Sequence, residues 1–240
     1  MNHHEREFSG YAADNALSRY TAKVFGWTFL GLGLTALTVV LSILGLTSDT
    51  FAPIIVAASD AMFFIFIAQM VIIIAMGARI HKMRPATTKL LYLTYSISMG
   101  LFFTWVVLMY GLYAIGTALA VTSITFGIMA TYGVVTKQDL TSWRNVISFG
   151  FIGLLIAMVA NIFFGNDTLD LLITASGIFI FLAFTVLEAN QIRKNFYGSL
   201  SPEGEATVLT ENLAIHSALS LYLKFINLFM FILRFMGRRD

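Results

Sequence analysis

Seven stretches of mostly apolar residues constrain this chain more than anything else: Val24–Leu46, Ser59–Ala78, Leu90–Tyr110, Ile115–Val135, Val146–Phe164, Leu171–Gln191 and Ala218–Met236. At a rise of about 1.5 Å per residue, a helix of about 20 residues spans the roughly 30 Å hydrocarbon core of a bilayer. Inside that core every backbone N–H and C=O must find a partner within the protein, and a helix supplies one from its own segment. The expected fold is an all-α membrane protein, a seven-transmembrane helix bundle. Composition agrees: 12% of the residues are charged, half the roughly 25% of a soluble domain. The expected organisation is a polar cytoplasmic segment at 1–23, a transmembrane domain at 24–236 and a short tail at 237–240. The first residues lack a signal-peptide core, so the first apolar run is expected to stay as an anchor. The longest polar connection, Arg193 to Ser217, is expected to fold back beneath the bundle. Cysteine is absent, which excludes disulfides and thiolate metal sites.

The charges sort by side. Segments before run 1, between 2 and 3, between 4 and 5, and between 6 and 7 carry Arg19, Lys23, Arg79, Lys82, Arg84, Lys89, Lys137, Arg144, Arg193 and Lys194. The opposite connections carry no Lys or Arg, but hold Asp49, Asp167 and Asp170, with Asp60 near the start of run 2. The positive-inside rule then places the N-terminus in the cytoplasm. Seven full crossings leave Arg234, Arg238 and Arg239 outside, against that bias. The length of the last run still favours a full crossing. Asp60, Asp167 and Asp170 are candidates to draw cations to an outer mouth, although exclusion of Lys and Arg from outer loops explains part of the pattern. Arg79 is an ordinary anchor or a cytoplasmic support for whatever lies above it.

Two charges lie within the runs themselves. Glu188 lies seventeen residues after Leu171, so roughly 25 Å from the outer end of run 6. Lys224 is about 9 Å from the inner end of run 7. Two consecutive antiparallel helices thus bring a carboxylate and an ammonium to similar depth. On run 7, Ser217, Ser220, Lys224, Asn227 and Arg234 follow helical spacing and form one polar stripe. Such a stripe faces the bundle interior or a wet cavity rather than lipid. Three readings stand at this point: side chains snorkelling to the headgroups, a structural ion pair, or a functional gate or relay.

Other features weigh less. Asp139 is read as a helix cap or a partner of Lys137 or Arg144. The "GLG" of Gly31–Gly33 is read as close helix packing, since no strand precedes it for a nucleotide loop. Neither HExxH nor GxSxG occurs, so hydrolase chemistry has no support. A retinal lysine belongs near mid-membrane, and Lys224 is too close to one edge.

Three segments together resemble the Bax inhibitor-1 family: "TSITFGIMATYGVVTKQDL" (Thr122 to Leu140), "FTVLEANQIRK" (Phe184 to Lys194) and "ALSLYLKFINLFMFILRFMG" (Ala218 to Gly237). With "WTFLGLGLTAL" and the tail "GRRD", the similarity is strongest to bacterial members. The resemblance implies a bundle with the last helix central, a multi-pass protein of the bacterial inner membrane, and no enzymatic activity, cofactor or nucleic-acid partner. It implies a pH-sensitive leak for Ca²⁺ or other cations; alternatively, a non-conducting regulator that binds a membrane protease or another membrane complex. Family members pair an acid late in span 6 with an aspartate on span 7, and the two share a proton as a pH-sensing latch. Glu188 holds the first position, but the second is Lys224. Gln69, in "FIAQMVIII", stands where some members have glutamate. Ser220, Asn227, Gln69, Arg79 and Arg234 become candidates to line or support the path. Two neighbouring carboxylates cannot both ionise easily, whereas a carboxylate and an ammonium each favour the other's charged form. The expected state is Glu188⁻/Lys224⁺, insensitive to pH near neutrality.

Overall fold

The computed structural model describes residues 3–136, 138–200 and 207–237, with side chains from Asp14 onward except Ser59. Lys137, Arg238 and Arg239, which entered the charge argument, lie outside the described residues. The described chain is helical: α1 (His3–Leu46), α2 (Ala52–Asp60), α3 (Met62–Arg79), α4 (Pro85–Val135), α5 (Thr141–Phe164), α6 (Asp167–Gly198) and α7 (Val208–Met236). Six of these helices are long and apolar enough to cross a membrane. The 51 residues of α4 exceed twice the length one crossing needs. The helix breaks at Gly111, where φ 77° and ψ 159° suit a residue without a Cβ. That break falls between the apolar runs expected at 90–110 and 115–135, so the helices are consistent with seven crossings.

The structure revises the polar ends. The polar segment expected before the first apolar run is continuous with that run in one helix, α1, from His3. Tyr20 of that segment is buried, as is Val24 one turn on at the start of the apolar run. The connection expected to fold back between Arg193 and Ser217 is mostly helix, because α6 continues to Gly198 and α7 begins at Val208. Once those turns are helical, Asn212, Ile215 and Leu219 share a buried face. Tertiary burial overrode the polarity of the segment.

Two compact units can be described. The first contains residues up to Trp105 and Ile192–Leu219. Here the phenol of Tyr92 donates to Trp27 O at 2.6 Å, and Thr35 donates to Ser96 O at 2.9 Å. Gly31 makes this approach possible, since a Cβ there would overlap the Tyr92 ring; Gly33 faces open space. Only the first glycine of the pair therefore serves close packing.

The second unit contains Val106–Gln191 and the chain from Ser220 on. Its helices meet through aromatic contacts: Phe126 on Phe225 and Phe151 on Phe181 and Phe184 edge to face, and Phe181 tilted on Phe231. The helices differ in how much they bury. In the most apolar window of α7, 56% is buried, against 6% for α5. Phe149, Ile152, Ile156, Ile162 and Phe163 of α5 are exposed, as suits a surface solvated by lipid chains. Threonine hydroxyls within the spans are satisfied by the carbonyl four residues back, as at Thr122, Thr174 and Thr185.

Gly133 of α4 carries a testable consequence. A Cβ there would lie 2.5 Å from Val186 O and 2.7 Å from Ala189 Cβ on α6. Backbone cannot step aside as a flexible side chain can. Gly133→Ala is expected to destabilise by about 1–3 kcal/mol through overpacking. Gly127→Ala, with nothing within 4 Å, should instead gain up to about 1 kcal/mol of helix propensity. Thermal unfolding in detergent compares them; equal melting temperatures would refute the close approach.

Candidate functional site

The second unit brings Glu188 of α6 and Lys224 of α7 together. Lys224 Nζ lies 3.4 Å from Glu188 Oε2, with the two side chains 21% and 11% exposed. The ammonium also donates to Ser220 Oγ, one turn earlier on α7, at 2.6 Å. Helical spacing explains this second bond, because residues four apart are neighbours on one face. Plain snorkelling does not describe this geometry, since the ammonium is engaged by a carboxylate and a hydroxyl.

The polar stripe of α7 behaves as a face. Ser220, Lys224, Asn227 and Arg234 are all partly exposed, while Leu221, Leu228, Phe229, Ile232 and Leu233 are buried. Asn227 turns its amide back to Leu223 O at 2.7 Å. Ser217 departs from the expected stripe: it is buried and accepts a 2.9 Å hydrogen bond from Asn195, both in the first unit. Nearer the C-terminal end of α7, the Phe231 ring packs on Phe181, centroids 5.6 Å apart, and occupies the space a side chain at Gly177 would need.

Arg234, expected as a lining residue, forms an ion pair with Asp170 from the first turn of α6. Asp170 is 8% exposed and also accepts from Asn161 Nδ2 at 3.4 Å. Asp170, a candidate to draw cations to an outer mouth, thus has its charge met by Arg234. Asp167 and Asp60 are exposed, and Asp60 ends α2 in the other unit. The pair also accounts for a basic residue at the far end of α7, because Arg234 neutralises an acid there. Neighbouring Asn166 accepts from Leu169 N at 2.9 Å, a side-chain cap on the start of α6.

Of the remaining residues, Gln69 and Arg79 belong to the first unit and Asp139 to the second. Gln69 is buried and donates to Ser98 Oγ at 3.0 Å, joining α3 to α4. Arg79 is exposed. Asp139 accepts from Thr141 N and Oγ1 at 3.0 and 2.6 Å, a side-chain turn leading into α5. Among the described residues no three His, Asp or Glu side chains gather in a way that could hold a metal ion.

Sequence reasoning missed two features. The first is Asp170–Arg234, although the depth argument that paired Glu188 with Lys224 applies equally at the other end of the same helices. The second is the foot of α7. Asn212 donates to Ile80 O and Met83 O at 3.1 and 2.7 Å and accepts from Thr88 Oγ1 at 3.1 Å. Beside it, Glu211 meets Lys89 at 2.6 Å and Lys23 at 3.7 Å. Glu211 precedes the apolar run that starts at Ala218. The hydrogen bond from Lys89, reinforced by the charge of Lys23, holds its carboxyl below the usual range. Its contribution to stability is present above the ordinary glutamate range and fades as pH falls through the lowered value.

Comparison with known proteins places this geometry. Residues 17–240 match the family described as "Inhibitor of apoptosis-promoting Bax1". The chain is 30% identical over 225 residues to the inner membrane protein YbhL of Escherichia coli strain K12, covering 93% of each chain. It is 30% identical over 221 residues to an uncharacterized protein of Deinococcus radiodurans, covering 92% of this chain and 91% of that one. A membrane protein of Streptococcus pyogenes is 26% identical over 228 residues, covering 95% and 96%. A family match that takes in α4 to α7 entire, both ion pairs included, is decisive: the chain is an integral membrane protein of the Bax inhibitor-1 family.

Proposed function

We propose that the protein is a closed leak pathway for Ca²⁺ or other small cations in a bacterial inner membrane, with its N-terminus in the cytoplasm and α7 at the centre of the bundle. The observation that carries this reading is the inverted burial of α7. Its polar side chains Ser220, Lys224 and Asn227 are partly exposed while Leu221, Phe225, Leu228, Phe229, Ile232 and Leu233 are packed. A membrane helix exposes polar groups where water reaches them. Glu188 and Lys224 then act as a fixed latch, and Phe231 on Phe181 closes the path further out. On this reading the protein conducts ions and catalyses no reaction.

Ca²⁺ prefers several oxygen ligands, and Lys224 opposes any cation near Glu188. Flux through the unmodified protein should therefore be slow. It should also be flat between about pH 6 and 8, because a carboxylate facing an ammonium has no shared proton to gain or lose. Lys224→Asp restores two facing acids and is expected to produce a faster leak that varies with pH. Ca²⁺ entry into liposomes containing the purified protein measures both. A steep pH response without any substitution would overturn the fixed latch and direct attention to His216. No flux from either protein would favour the second reading, a non-conducting regulator that binds a membrane protease or another membrane complex. The paired charges of Asp170 and Arg234, closing the other end of the same two helices, support that alternative.

A further inference from the structure

We propose that the turn between α3 and α4 binds the phosphate of an anionic membrane lipid. Ala78, Arg79, Lys82, Met83, Arg84 and Thr87 line a pocket of about 750 Å³. Three cations and a hydroxyl thus border one concavity built from ten consecutive residues, 78–87. Arg79, Lys82 and Arg84 are exposed and have no acidic partner among the described residues. The same unit treats other cations differently, since Lys23 and Lys89 both converge on Glu211. A positive charge placed only to fix orientation needs no pocket and no rigid support.

This turn has rigid support. Asn212, 1% exposed, reaches in from α7 and donates to Ile80 O and Met83 O. Lys82 N and Met83 N both donate to Arg79 O, and Thr87 N and Thr88 N both donate to Arg84 O. The backbone that carries the cations is therefore set before a ligand arrives, which lowers the ordering cost of binding. Arginine offers a planar fork that meets two phosphate oxygens at once, and lysine adds a point charge.

Position selects a lipid over a dissolved phosphate. The turn closes two helices that are long and apolar enough to cross the membrane, so it lies at the level of the headgroups. Ile74, five residues before Arg79, is 63% exposed, and Leu90, three residues after Thr87, is 64% exposed. Both offer apolar surface for acyl chains below a bound phosphate. Each cation held near an anionic headgroup contributes about 1 kcal/mol, a factor of roughly five in affinity per residue.

The test uses the full-length protein in detergent, titrated with phosphatidylglycerol, phosphatidylcholine or inorganic phosphate, with retained lipid counted by native mass spectrometry. The expected result is selective retention of phosphatidylglycerol, weakened at least tenfold in Arg79→Gln/Arg84→Gln and about fivefold in Lys82→Gln. Lipid-free melting temperatures should stay unchanged, because these side chains are exposed. Arg144→Gln/Arg193→Gln removes equal charge elsewhere and should leave retention intact. An equal loss in that control would mean diffuse attraction and overturn the site. Undiminished binding in Arg79→Gln/Arg84→Gln would overturn it too. Displacement of the lipid by millimolar inorganic phosphate would reassign the pocket to a soluble phosphate and overturn the lipid.

Discussion

Lys224→Met should be among the most damaging single substitutions in this protein. It leaves the Glu188 carboxylate, 11% exposed on its side chain, without its counter-ion. Breaking a buried pair costs about 3–5 kcal/mol, because the charge left behind is stranded in poor solvent. The residual exposure of both partners puts the expectation at the lower end of that range. At about 2–4 °C per kcal/mol for a chain of this size, the melting temperature should fall on the order of 10 °C. Glu188→Gln should cost less, since Ser220 Oγ still accepts from the ammonium at 2.6 Å. The informative measurement is the pair of changes together. Glu188→Gln/Lys224→Met should be less harmful than the two single effects added, by about 1 kcal/mol or more, because neither charge is then orphaned. Strict additivity in detergent melting curves would mean the two side chains do not interact.

Asn212→Leu is expected to have an effect of similar size for a different reason. The side chain is 1% exposed; leucine copies its branched outline but is bulkier, so overpacking adds to the loss. What disappears is polar satisfaction. Ile80 O and Met83 O lose their donor, and Thr88, fully buried, keeps only a long 3.4 Å bond to Arg84 O. Each buried group left unpaired costs about 1–3 kcal/mol, so a total loss of about 3 kcal/mol or more is expected. Hydrogen exchange provides a local readout, with faster exchange at Lys82 and Met83 in the variant as their turn loosens. Thr88→Val should be mild alone and nearly silent in the Asn212→Leu background. Unchanged exchange across residues 80–84 would show that Asn212 does not hold that turn.

These substitutions mark where reading the chain succeeded and where it stopped. Glu188 and Lys224 were legible because helix rise is constant and consecutive crossings are antiparallel. Depth then follows from counting residues, and an intramembrane charge without a partner is too costly to leave unexplained. The same counting would have paired Asp170 with Arg234. Acids and bases near helix ends, however, already have sufficient explanations in solvent exposure and membrane orientation. Asn212 was less accessible. It lies in a polar stretch with the composition of a loop, and its partners are backbone carbonyls, which carry no mark in a sequence.

What the sequence by itself determined was the class of structure: seven apolar runs, each long enough to cross hydrocarbon, leave an all-helical membrane protein as the solution that satisfies the backbone. It also determined that α7 carries a polar face, because a period of 3.6 residues follows from peptide geometry alone. Only the tertiary structure decided which charges meet: Lys224 with Glu188, Arg234 with Asp170, and Lys23 and Lys89 with Glu211. Only there do α6 and α7 extend through a polar connection, and only there is the turn after α3 fixed by a residue more than a hundred positions away. The physical reason is the range of the forces. Hydrocarbon solvation and helix periodicity act on each segment separately, whereas ion pairs, buried amides and glycine contacts exist only once distant segments are packed together.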